Sequence, residues 1–211
     1  MFDWFSADLH PGHVAMVPHT PEQCQNPSGN CNHRGWRSHS FDSMEHMHQS
    51  LVDRWNSTVG KNDRVLIVGD AAMGNRHDTL TLFDRLNGHK SLVPGNHDHV
   101  HPMHGASKVS KWMPHYSKYF DVLDPHLVDH STFSKPVQIS HFPWEGDHAG
   151  SDREDEIGPW RPPKTDMPLI HGHLHSRAEN RQMTPHQLDV GVDGHDYTPW
   201  NRDEIAKVLG L

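Results

Sequence analysis

Five short apolar runs along the chain each stop at residues able to ligate a metal. "FDWFSADLH" runs into Asp8 and His10, "RVLIVGD" into Asp70, and "SLVPGNHD" into Asn96, His97 and Asp98. Further on, "PVQISHF" reaches His141, and "MPLIHGHLH" reaches His171, His173 and His175. Runs of about four to six apolar and β-branched residues bounded by Gly or Pro predict buried strands. Strands buried in a layered α/β domain deliver functional groups from their C-terminal ends into a shared crevice. Five such endings predict one site assembled from across the fold.

Helical spacing fills the gaps. In "SFDSMEHMHQSLVDRWNSTVG", Met44, Met47, Leu51, Val52 and Trp55 form one apolar stripe, with Asp42 and Glu45 placed as a capping box. "DTLTLFDRLNGHK" reads as a helix with Leu80, Phe83 and Leu86 inward and Gly88 as its stop. "TPWNRDEIAKVLG" reads as a short closing helix after Pro199. Two connections, residues 14–39 and 143–166, are long and lack periodicity, so they are expected to be loop insertions in a single domain spanning residues 1–211.

Composition narrows the class. With 211 residues the chain can bury a real core, and 33% hydrophobic content excludes a disordered chain. Its longest aliphatic runs are too short to cross a bilayer. The first ten residues lack a basic stretch followed by an apolar one, so a cytoplasmic protein is expected. A formal charge of −8 argues against a general nucleic-acid coat. Cys24 and Cys31 lack the CxxC spacing of a zinc site and read as reduced thiols. The 23 histidines make charge-dependent behaviour sensitive to pH near neutrality.

Asp8-Leu9-His10, Gly69-Asp70, Gly95-Asn96-His97-Asp98, His141 and Gly172-His173-Leu174-His175 follow one another in the order and approximate spacing of the calcineurin-like metallophosphoesterases. The chain resembles the small bacterial and phage members, whose ending is similar to "LDVGVDGHDYTPWNRDEI". The likeness runs from Asp8 to His175. It implies an α/β (α+β) fold, a four-layer αββα sandwich of two mixed sheets with a dinuclear metal site at the C-terminal ends of strands. It assigns Asp8, His10, Asp70 and His175 to one metal, and Asp70, Asn96, His141 and His173 to the other. Mixed oxygen and imidazole ligation suits two divalent transition-metal ions, Mn, Fe, Zn or Ni, with Mn the natural choice for an assay. His97 is implied to bind no metal and to protonate the leaving oxygen, a task suited to an imidazole.

Other residues carry weaker expectations. His13 is a candidate for touching phosphate or supporting a ligand. Asp98 either orients His97 or caps the following turn, and the turn is favoured because Asp is a common turn former. His171 is a candidate buttress, although strand alternation points it away from its neighbour's face. His99, His101 and His104 read as exposed or loosely substrate-facing loop residues without a catalytic role. Arg34, Arg37, Arg161 and Arg177 are candidate phosphate contacts, and the acidic block Asp152–Glu156 reads as a solvated loop that repels long polyanions.

These readings converge on a metal-dependent phosphodiesterase that hydrolyses small phosphodiesters such as cyclic nucleotides. The resemblance implies attack by a metal-bridging hydroxide. "AAMGNRHD" after Asp70 lacks the Gly-Asp-x-x-Asp-Arg-Gly of the Ser/Thr protein phosphatases, which removes that substrate class and the usual carboxylate partner of the catalytic histidine. The alternatives are a nuclease, a phosphomonoesterase or a non-catalytic metal-binding scaffold. The expected partner is a small phosphoester, with no membrane and with nucleic acid less favoured.

Overall fold

The computed structural model describes residues 1–19, 35–145, 154–177 and 184–211. Cys24, Cys31, Arg34 and the first two residues of the acidic block, Asp152 and Arg153, lie outside the described residues, while its remainder opens a helical turn and not the expected loop. Among the described residues nine strands form two mixed sheets. The first has the order β4-β3-β2-β1-β9, from β1 (Trp4–Ser6), β2 (Arg64–Val68), β3 (His89–Val93), β4 (Asp121–Val122) and β9 (Trp200–Asn201). Its β1 to β4 neighbours pair in parallel and β9 pairs antiparallel to β1. The second has the order β5-β6-β7-β8, from β5 (His126–Asp129), β6 (Val137–Ser140), β7 (Leu169–His171) and β8 (Gln187–Asp189). Here β6, β7 and β8 run in parallel and β5 is antiparallel.

Strand alternation sorts the core. Phe5, Leu66, Val68 and Val93 meet Val137, Ile139, Ile170 and Leu188 in one buried cluster, so the two sheets pack face to face. Val65, Ile67 and Leu92 point the other way, into a cluster with Met47, Leu51 and Trp55 of helix α1 (Met44–Thr58). Each fully buried Leu, Met or Trp contributes about 2–3 kcal/mol relative to exposure. Tyr116, at the end of helix α3 (Ala106–Tyr116), joins the same cluster. The sequence pattern did not predict α3, because Tyr116 is its one buried residue.

Two helix expectations need correction. The N-cap of α1 is Ser43, whose Oγ accepts from His46 N–H, not Asp42. His46 Nδ1 accepts in return from Asp42 N–H, so a histidine fills the place expected for Glu45. The segment before β3 is a single α turn, α2 (Arg76–Thr79), followed by a 3-10 helix over Leu80–Arg85. Leu80 and Phe83 are buried as expected, and Leu82 joins them at the tighter winding. The closing helix α5 (Arg202–Leu209) has a full capping box between Asn201 and Glu204, and Ile205 and Leu209 plug the inter-sheet core.

The outer face of the second sheet is polar. Gln138, Ser140, His171, Gln187 and Asp189 are all buried there. The 143–166 connection covers it: Gln187 Oε1 accepts from Trp144 N–H, and Gln138 Nε2 donates to Thr165. Within that connection α4 (Glu154–Ile157) forms a single turn. Among the described residues no helix is long and apolar enough to cross a membrane.

Candidate metal centre

The five predicted strands β1, β2, β3, β6 and β7 form, and the loops after them meet. Asp8 N–H donates to the Gly69 carbonyl and His10 N–H to the Asp70 carbonyl, which joins the β1 and β2 loops. His97 N–H donates to Asp70 Oδ1, which adds the β3 loop. Gly172 N–H donates to the His141 carbonyl, and His173 N–H reaches Asp8 Oδ2, so the second sheet is tied to the first. Glycine is needed where the chains cross most closely. A Cβ at Gly172 would lie 2.7 Å from Asp8 Oδ2, and one at Gly95 would overlap Asp70 Oδ1.

The backbone itself marks the site. Asp8, His10, Asp70, His173 and His175 have φ between 50° and 74°, the left-handed region that side chains other than glycine rarely adopt. Such strain clusters where surrounding contacts over-determine it, as they do in functional sites. Nothing in the hydrophobic pattern signals this.

The side chains converge on two overlapping groups. Asp8, His10 and His175 bring ligand atoms within 4.8 Å of one another, and so do Asp8, Asp70 and His141. His10 Nε2 lies 3.7 Å from Asp8 Oδ1 and 3.4 Å from Asp70 Oδ2, and His175 Nε2 lies 3.8 Å from Asp8 Oδ1. His141 Nε2 is 3.4 Å from Asp70 Oδ2, and Asn96 Oδ1 is 3.0 Å from His141 Nε2 and 3.1 Å from His173 Nδ1. Donors sharing an ion about 2.1 Å away sit about 3–3.4 Å apart. The spacings at Asp70 and Asn96 fit coordination, and those to Asp8 Oδ1, at 3.7 and 3.8 Å, are slightly wider. Asp8 Oδ1 and His10 Nε2 are buried without a hydrogen-bond partner among the described residues, a costly arrangement for a site that holds no cation.

Ring orientation supports the same fit. His141 Nδ1–H donates to the Val68 carbonyl and His175 Nδ1–H to Asp193 Oδ2, which leaves each Nε2 facing the cluster. Burial pushes the Asp8 carboxyl up to about 7 despite nearby His175 and His141. Burial opposes charge at Asp70 too, but His141, His97 and His10 outweigh it and hold that carboxylate well below the ordinary range. The Asp70 charge in turn overcomes burial at His141 and pushes it up to about 10. The two carboxylates thus demand positive charge between them, which a cation can supply in place of a proton.

His97 stands apart from both groups. Its side chain is 36% exposed, and Nε2 lies 3.9 Å from Asp70 Oδ2. Burial lowers its pKa, and its backbone is fixed by Arg76, which donates to the His97 carbonyl. The His13 ring lies 5.2 Å from His10 and 5.9 Å from His97. His171 lies on the outer face of β7, where Nδ1–H donates to the Gly172 carbonyl, away from the inter-sheet side on which Ile170 packs.

Asp98 is structural and reaches further than a turn cap. Its carboxylate accepts from Gly95, Asp70 and Ala71 N–H and from the Tyr116 hydroxyl. His101 is a correction: it is buried, not exposed, packed on Phe142 and Trp160, with Nδ1 accepting from Met103 N–H. His104 donates through Nε2 to the Asn96 carbonyl. Arg37 is a second correction. It is buried, pairs with Asp193 at 2.6 Å, and donates to the Asp8 and Leu9 carbonyls, so it braces the β1 loop and cannot meet phosphate. Arg161 donates to the Pro143 carbonyl, while Arg177 is exposed beside the cluster. Sequence reasoning missed Asp193, whose one signal was its place as the second of two acidic residues in the otherwise apolar "LDVGVDG".

No known family profile matches the chain. A crystal structure of AQ665 from Aquifex aeolicus, titled a protein of unknown function, shares the fold with a TM-score of 0.62 at 22% identity over 97% of both chains. The gene 66 protein of Mycobacterium phage L5 is 32% identical across 98% of this chain and 93% of its own. That of Mycobacterium phage D29 is 32% identical across 98% of this chain and 94% of its own. With matching residues spread over nearly the full length of both proteins, the chain belongs to the family of the mycobacteriophage gene 66 proteins.

Proposed function

We propose that the chain is a metal-dependent phosphodiesterase acting on small phosphodiesters such as cyclic nucleotides, in a four-layer αββα domain and in the cytoplasm of a phage-infected host. The observation that carries the reading is the position of Asp70. Its Oδ2 lies 3.4 Å from both His10 Nε2 and His141 Nε2, where one carboxylate can be shared by two divalent ions. Asp8, His10, Asp70 and His175 would hold one ion, and Asp70, Asn96, His141 and His173 the other. Bound there, such ions activate water and neutralise charge on the phosphoryl oxygens.

The chain's own residues supply the rest. His97, partly exposed with Nε2 3.9 Å from Asp70 Oδ2, is the group that would hand a proton to the departing alkoxide. Burial depresses its pKa, and an anionic substrate against the ring raises it again. Arg76 and Asp98 keep the His97 turn in register with Asp70. His13, its ring 5.9 Å from that of His97, offers a further contact to a phosphate oxygen.

The test is hydrolysis of bis-p-nitrophenyl phosphate and p-nitrophenyl phosphate by Mn-reconstituted protein. The diester is cleaved in preference to the monoester, and Asn96→Ala lowers the rate by about 10²-fold or more. Two bound ions with neither ester cleaved would overturn the reading.

A further inference from the structure

A cavity of about 540 Å³ opens beside the strand-end cluster and shares His175 with it. Met16, Trp36, His39, Arg177 and Tyr197 form the rest of the wall that matters here. Trp36 is 63% exposed, and apart from Met1 it is the one large apolar side chain so exposed among the described residues. Its ring centroid lies 6.3 Å from that of His175.

Trp36 is exposed but held. Its N–H donates to the Ala15 carbonyl, and the next residue, Arg37, is locked by Asp193 and by two carbonyls of the β1 loop. Gly35 before it takes φ of 78°, and a Cβ there would overlap the Val17 backbone. The indole is therefore presented on a fixed backbone next to the centre, the arrangement that lowers the entropy lost on binding a flat ligand. Polar groups stand around it: exposed Arg177 is a cation at the wall, and the Tyr197 hydroxyl lies 3.4 Å from His39 Nε2. A purely apolar substituent would leave those groups facing carbon.

We propose that this cavity binds the aromatic base of a nucleotide-type diester, stacked on Trp36, while its phosphorus lies at the strand-end cluster. The assignment rests on the phosphodiesterase reading for the place of the phosphorus, but the base contact itself is independent of turnover. An aromatic ring offers every base a stacking face, so Trp36 selects nucleotides over other diesters without selecting one base.

The experiment compares adenosine 5′-monophosphate with ribose 5-phosphate by isothermal titration calorimetry on Mn-loaded protein. Both carry the same phosphate, so the affinity ratio reads the base alone. The ratio is expected to be about tenfold or more in favour of the nucleotide, the size of one base–aromatic stack. Trp36→Ala and Trp36→Leu each bring it close to one, and Trp36→Tyr keeps most of it. Equal affinity for the two ligands, or a preference that survives both Trp36→Ala and Trp36→Leu, overturns the proposal. A base preference that depends on Trp36, in protein that cleaves no diester, upholds the cavity and overturns the phosphodiesterase reading instead.

Discussion

The two halves of the candidate centre are built from similar donors and braced in opposite ways. Around Asp8, His10 and His175 the support is ionic. Asp193, held well below the ordinary carboxylate range because Arg37 and His175 outweigh its burial, orients His175. Arg37 in turn ties down the Asp8 and Leu9 carbonyls. Around Asn96 and His141 the support is a carboxylate that collects backbone amides: Asp98 binds Gly95, Asp70 and Ala71 N–H. One half relies on a buried ion pair between residues 37 and 193, and the other on local turn chemistry. A buried pair is unforgiving when one partner is lost, whereas a carboxylate with several donors degrades in steps.

Asp70 belongs to both halves, so replacing it erases the distinction. Asp70→Asn keeps an acceptor for His97 N–H but removes the shared charge. Diester hydrolysis should fall by about 10³-fold or more, and bound Mn, counted by atomic absorption, should drop below two ions per chain. A variant with full metal content and activity would show that the two groups do not share a ligand.

The next largest effect separates the halves. Arg37→Met leaves Asp193 buried beside His175 without its cation, and unfolding free energy in urea should fall by about 3–5 kcal/mol. The damage should begin at the β1 loop, with faster hydrogen exchange at His10 than at Asp98. A loss below about 1 kcal/mol would mean that the ion pair merely fills space.

These two braces also divide what sequence could reveal. All five strands that end at the candidate ligands were legible, because apolar runs ending in Asp, Asn or His are a local pattern. Asp98 was legible as a structural turn residue, since it sits inside Gly-Asn-His-Asp. Arg37 and Asp193 were not, because their meaning comes from a contact across 156 residues. His101 was misread for a related reason. A polar residue in a Pro- and Gly-containing stretch looks solvated until Phe142 and Trp160 close over it. The left-handed backbone at Asp8, His10, Asp70, His173 and His175 has no sequence signature beyond the tolerance of Asp and His for it.

Acid should act on the two halves differently. Burial lowers His101 to about 4, so the unfolded chain, titrating near 6.5, binds more protons between these values. The stability from neutral His101 is complete above about pH 6.5 and is lost as pH falls toward 4. It amounts to about 2 kcal/mol between pH 7 and pH 5. Asp193 has a depressed pKa, so its contribution is present above the ordinary carboxylate value and is lost only at lower pH. Burial pushes the Asp98 carboxyl, in the same half as His101, up to about 6, so its contribution grows as pH falls and opposes the loss at His101. His101→Asn keeps an acceptor for Met103 N–H at the place of Nδ1 but cannot titrate, and its thermal midpoint should vary less over that range. An equally steep pH dependence would place the acid-sensitive group elsewhere.

The smallest effect tests whether the Asp98 brace does degrade in steps. Tyr116 donates its hydroxyl to Asp98 Oδ1 at 3.3 Å, while Oδ2 keeps the amides of Asp70 and Gly95. Tyr116→Phe removes one neutral donor and leaves the ring in the helix-side core, so about 1 kcal/mol should be lost in urea unfolding. Manganese content and diester turnover should stay within about twofold, because the amides still fix the Asp70 turn. A loss of 3 kcal/mol or more, or a missing ion, would mean that the hydroxyl holds the carboxylate and that this half is as brittle as its neighbour. The contrast between an ionic brace and a shared one would then collapse, since both would hang on a single side-chain contact.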